Sequence, residues 1–117
     1  MKIKDQDYSV IFSKANATIG FTGSIRLQNL PAYETIKTLL RDAYSEVGGS
    51  LLTLDMKDLN FVNSSGITTL SMFIIDSRKK EGGAKIKVIG NNTVSWQIKS
   101  LANFQKLWDS VQIEMVG

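Results

Sequence analysis

The sequence predicts an α/β domain built on a small, mixed, mostly parallel sheet, with an N-terminal hairpin and helices packed on it. Two short β-prone runs stand at the start, separated by a polar turn. After them, stretches with helical apolar spacing alternate with short apolar strands, each helix bounded by its own start and stop residues. That alternation argues for βαβ units joined by right-handed crossovers. A chain of 117 residues holds one core of ordinary size, so residues 1–117 read as a single domain.

The hairpin is read at Val10 to Phe12 and Ala17 to Thr22, with Lys14 to Asn16 as its turn and Gly23 ending the second strand. From Pro31 onward Ile36, Leu39, Leu40, Ala43 and Val47 recur at helical spacing. Pro31 suits the first helical position and Gly48-Gly49 the stop. Leu51 to Met56 shows little alternation, the pattern of a central parallel strand buried on both faces.

Asn63, Ser64 and Ser65 then offer caps to a second helix bearing Ile67, Leu70, Phe73 and Ile74 and running to about Lys80. Gly82-Gly83 closes it, and Arg78-Lys79-Lys80 reads as a solvated helix end that complements the negative end of the dipole. Ile86 to Ile89 reads as the next strand. Asn91 to Thr93 can cap a third helix bearing Val94, Ile98 and Leu101, and Leu107, Trp108 and Val111 fall in the closing segment.

Composition excludes several functions. The chain has neither cysteine nor histidine, so disulfides, thiolate chemistry and every arrangement that needs an imidazole are absent. Asp5, Asp7, Asp55, Asp58 and Asp76 form no paired or metal-ligand motif, and without convergent groups in defined roles the sequence reads as non-enzymatic, with no cofactor. A net charge of +3 is too small to imply a nucleic-acid partner. No apolar run reaches the length that spans a bilayer and no leader pattern opens the chain, so the expected location is cytoplasmic. Neither phosphate-binding glycine signature is present.

One stretch concentrates polar chemistry: Leu59-Asn60-Phe61-Val62-Asn63-Ser64-Ser65-Gly66-Ile67, a polar turn between a buried strand and a helix. It puts two hydroxyls at a helix N-terminus, where free N–H groups and the dipole favour an anion. A phosphate there adds a charge of about −1.5 to −2 and changes the surface without disturbing the fold. Capping is the simpler use of the same residues.

In order and spacing these elements resemble the STAS family, the anti-sigma-factor antagonists and their relatives, over nearly the whole chain. The residues that carry the likeness are Gly23-Ser24-Ile25-Arg26, the strand Leu51 to Met56, Asn63-Ser64-Ser65-Gly66-Ile67, Gly82-Gly83 and Ile86 to Ile89. The resemblance implies a phospho-switch protein in signal transduction and transcription regulation. Ser64 would be phosphorylated by a serine kinase that doubles as an anti-sigma factor, and a metal-dependent serine phosphatase would restore it. The implied docking surface is Gly23, Ser24, Ile25 and Arg26 together with Asn63, Ser64, Ser65, Gly66 and Ile67.

Two departures from the family pattern are visible. Asn63 stands where the family usually has Asp, and Ser24 and Arg26 replace the two acids of its first turn. Asn followed by a hydroxyl residue also resembles a divergent STAS-like group that controls a diguanylate cyclase. The remaining alternative is a constitutive interaction scaffold in which Ser64 is only a helix cap.

Overall fold

The computed structural model describes all residues 1–117. Six strands form one sheet whose spatial order follows the sequence: β1 (Lys2–Lys4), β2 (Tyr8–Ser13), β3 (Thr18–Ile25), β4 (Leu51–Val62), β5 (Lys85–Asn91) and β6 (Gln112–Val116). The first two pairings are antiparallel and the remaining three parallel. Helices α1 (Glu34–Glu46), α2 (Ser64–Arg78) and α3 (Ser95–Leu107) make the three crossovers. With strands added in sequence order and crossovers of one hand, all three helices fall on the same face of the sheet.

That single helical layer corrects the expectation for Leu51 to Met56. Leu52, Leu54 and Met56 are fully buried beneath the helices, whereas Leu51 is exposed and Thr53 and Asp55 are half-buried on the open face. The strand alternates after all, and Leu51 masked the period. Opposite charges pair across this open face, Lys57 with Asp55 at 2.5 Å and Lys87 with Glu114 at 3.2 Å.

β4 also runs six residues further than its alternation suggests. Its register against β3 shifts between Gly20 and Thr22 and again between Gly23 and Ser24. Each shift places an extra residue on β4, so the buried positions step from Met56 to Leu59 and then to Val62. Gly23 does not end β3. It lies at the second irregularity with φ +87°, and a Cβ there would sit 2.1 Å from the Asp7 carbonyl oxygen, so only glycine fits.

Beyond Asp55, β4 has no partner in β5. Side chains replace the missing strand. The Gln97 amide, fully buried, donates to the Met56 carbonyl at 2.6 Å and the Leu59 carbonyl at 3.1 Å, and its oxygen accepts from the Asn91 N–H at 2.7 Å. Trp96 Nε1 donates to Leu59 at 3.0 Å, and Asn91 Nδ2 to Lys57 at 3.2 Å. Buried carbonyls left unpaired would each be costly, so these contacts from the start of α3 are what let β4 extend to Val62 and deliver the next residues to the surface.

The helices differ in detail from expectation. Pro31 lies in a 3-10 turn over Leu30–Tyr33, capped by Asn29, and α1 starts only at Glu34. In α3 the inward positions are Gln97, Leu101 and Phe104, while Ile98 is 56% exposed. The α3 N-cap position is Val94, and Asn91 instead closes a turn by accepting from Thr93. The edge strands β1 and β6 went unread in the sequence. Arg78, Lys79 and Lys80 do lie exposed at the end of α2, and no helix is long and apolar enough to cross a membrane.

Candidate functional site

The end of β4, the start of α2 and the end of β3 meet at one rim of the sheet. Asn63 holds them together. Its backbone N–H donates to the Ile25 carbonyl at 3.2 Å and its side-chain Nδ2 to the Leu27 carbonyl at 2.7 Å. Its Oδ1 accepts from the Gly66 N–H at 3.1 Å, the N-cap bond of α2, and from the Tyr33 hydroxyl at 2.5 Å.

The amide is therefore used at both ends, as donor and acceptor. A carboxylate, acceptor-only, would face the Leu27 carbonyl oxygen with an oxygen of its own. That geometry calls for an amide rather than a carboxylate at position 63. Tyr33 is 1% exposed, and burial pushes its phenol pKa above the ordinary 10.0, so the hydroxyl keeps its proton and donates.

Gly66 makes room for this junction. A Cβ on it would lie 2.2 Å from Val62 Cγ2 and 2.8 Å from the Tyr33 hydroxyl, closer than packed atoms approach. The residue after it, Ile67, is half-buried against the core.

With Asn63 as the cap, Ser64 is left over. It is the first residue of α2, exposed, and its hydroxyl has no hydrogen-bond partner within the chain. Of the three candidate caps Asn63, Ser64 and Ser65, the structure uses Asn63, and the alternative in which Ser64 is the cap is corrected: capping requires the extended residue just before the helix, and that residue is Asn63 (φ −79°, ψ 176°). Ser65 is half-buried, and its carbonyl accepts from the Thr69 hydroxyl at 2.8 Å.

The two segments singled out in the sequence do come together. Ser24 pairs with Phe61 and Ile25 with Val62. Yet Ile25 and Gly66 are buried and shape the surface from beneath rather than form it. The accessible part consists of Ser64, Arg26 and the half-buried Gly23, Ser24, Asn63, Ser65 and Ile67. Gly23 to Ile25 is irregular strand, not a free turn.

Sequence reasoning missed Phe61, 36% exposed, and the Arg26 guanidinium 4.5 Å above its ring centroid. Leu30, 46% exposed, was missed as well. The β4 irregularities that turn Phe61 outward leave no mark in local composition. No group of three or more carboxylates is placed to hold a metal ion.

Neither a family model nor a curated protein matches the chain. Solved structures do. Apo-SiaC from Pseudomonas aeruginosa superposes with a TM-score of 0.71 at 17% identity, covering 100% of this chain and 98% of that one. A chain of the complex of diguanylate cyclase SiaD with its activator SiaC, from the same organism, gives 0.72 at 13% identity, covering 99% of both. An anti-sigma factor antagonist from Mycobacterium paratuberculosis gives 0.65 at 10% identity, covering 96% of this chain and 90% of that one. The chain has the STAS-like fold, in a divergent sequence.

Proposed function

We propose that this protein is a non-catalytic STAS-like regulator that binds a signalling partner through the Ser64 face and is switched by phosphorylation of Ser64. The observation that carries the reading is the exposed, unbonded Ser64 hydroxyl beside a cap that does not depend on it. A phosphate on Ser64 leaves every Asn63 bond intact and meets the favourable end of the α2 dipole. It also changes the charge of a surface on which Arg26 is the sole charged residue among positions 23–30 and 59–68.

The partners in this reading are a serine kinase that modifies Ser64 and a metal-dependent serine phosphatase that reverses it. For the output we take a diguanylate cyclase, supported by the likeness to SiaC, which is described as an activator of the cyclase SiaD, and by Asn63 and Arg26 standing where the antagonists carry acids. The second reading is a kinase that doubles as an anti-sigma factor, supported by the mycobacterial neighbour. Wild type and Ser64→Ala bind the partner, and Ser64→Glu binds about tenfold or more weakly, a difference of about 1.4 kcal/mol. Titration of each purified candidate with the three proteins tests this, and equal affinities reject the switch.

A further inference from the structure

The basic run at the end of α2 has a use that the Ser64 site does not absorb. Between α1 and α2 lies an open trough of about 350 Å³ on the helical face, running from Thr69 to the end of α2 and not including Ser64. Lys37 and Arg41 of α1 line one side, and Lys79 and Lys80 the other. Tyr44 and Phe73, both buried, meet edge to face beneath it with centroids 5.9 Å apart, and Met72, 44% exposed, supplies most of its apolar surface.

The floor is rigid. The Tyr44 hydroxyl donates to the Ala84 carbonyl at 2.9 Å, and Gly83 packs so closely that a Cβ there would lie 2.3 Å from the same hydroxyl. The cations are available. Lys79 and Lys80 have no carboxylate within 4.0 Å, and Lys80 rests 5.4 Å from the Tyr44 ring centroid. Lys37 and Arg41 share only Glu34, at 3.5 and 3.3 Å, in exposed pairs of the kind that contribute little and exchange easily. Against four cations the trough itself presents one acid, Asp76.

We propose that this trough docks an acidic amphipathic helix of a partner protein, seating apolar side chains against Met72 and the small exposed edges of Tyr44 and Phe73, and carboxylates along the basic rims. Charge complementarity selects an acidic occupant, and the apolar floor selects one with a hydrophobic face. Lys37 and Arg41, one turn apart on α1, match carboxylates spaced i, i+4 on a facing helix. A compact polyphosphate would use the cations but leave the Met72 side chain uncovered, so the apolar part of the lining favours the helix over it. An exposed methionine adapts to more than one apolar side chain. The surface is separate from Ser64, so this proposal stands or falls independently of phosphorylation.

The probe is a helical peptide of about 15 residues with a leucine seam flanked by Glu at i, i+4, together with a counterpart in which every Glu is Gln. Backbone amide NMR maps where each binds, and fluorescence anisotropy gives its affinity. The Glu peptide should shift resonances of Met72, Asp76, Lys79, Lys80 and the Lys37–Arg41 turn. It should bind about tenfold or more tightly than the Gln peptide, and added salt should weaken it. Lys79→Gln with Lys80→Gln, which removes both charges at exposed positions without introducing anions at the carbonyl end of α2, should remove much of that advantage in a protein that still unfolds cooperatively. No trough-centred shifts at millimolar peptide, equal binding of the two peptides, or displacement by equimolar tripolyphosphate would each overturn the proposal.

Discussion

Asn63→Asp exchanges an amide for an acceptor-only carboxylate at the junction of β3, β4 and α2, and it should weaken the protein. The change keeps the two acceptor bonds, from the Gly66 N–H and from the Tyr33 hydroxyl. It deletes the 2.7 Å bond from Nδ2 to the Leu27 carbonyl and leaves two oxygens facing each other. Depriving the part-buried Leu27 carbonyl of its partner and setting a charged oxygen against it costs about 1–3 kcal/mol. A negative charge at the N-terminus of α2 returns about 0.3–1 kcal/mol. The net loss is about 1–2 kcal/mol, which for a domain of this size lowers the melting temperature by about 3–10 °C. Urea unfolding at neutral pH with an unchanged m-value is the assay. Asn63→Ala, which also loses the cap and strands the buried Tyr33 hydroxyl, should cost more than Asn63→Asp. If Asn63→Asp is as stable as wild type, the Leu27 bond does not explain the asparagine and the reasoning fails.

Three further outcomes follow from the same contacts. Ser64→Ala should change stability by less than about 0.5 kcal/mol, since a surface hydroxyl without a partner contributes little; a loss near the typical 1 kcal/mol of a deleted cap would restore Ser64 to the capping role. Gln97→Leu should destabilise by about 2–4 kcal/mol in denaturant titration, because it strands the Met56 carbonyl and the Asn91 N–H in the interior. Burial raises the phenol pKa of Tyr8, Tyr33 and Tyr44 above 10.0, with Asp5 adding to the shift at Tyr8. Groups with raised folded-state pKa values contribute stability that is fully present below pH about 10 and lost as pH rises through the folded values. Alkaline titration should therefore show tyrosinate absorbance appearing together with unfolding, and full ionisation in a still-folded protein would contradict it.

The sequence makes legible whatever depends on period and punctuation. α1 and α2 keep their apolar spacing and finish in the C-caps Val47 and Lys79, with glycines turning the chain directly after at Gly48 (φ +61°) and three residues on at Gly82 (φ +71°). The Asn63 to Ile67 stretch was recognisable because caps, hydroxyls and a glycine cluster there. What escaped depends on tertiary contacts. The six residues of β4 after Met56 pair with β3 across two irregularities and with α3 through side chains, and neither leaves an alternating signal. Ile98 looked like a core residue, yet the inward place went to Gln97, whose amide satisfies backbone carbonyls that no sequence pattern announces. Among three polar candidates at the start of α2, local preference could not say which one caps. The answer required Tyr33 and Leu27, brought in from distant positions.

Ser64 is free to be modified because Asn63 alone caps α2. The most direct test is intact-mass and phosphopeptide analysis of the protein isolated from its native cells across growth and stress conditions. A singly phosphorylated fraction is expected, with the phosphate on Ser64 and lost in Ser64→Ala. Phosphate found only at another hydroxyl, or none under any condition, would contradict it.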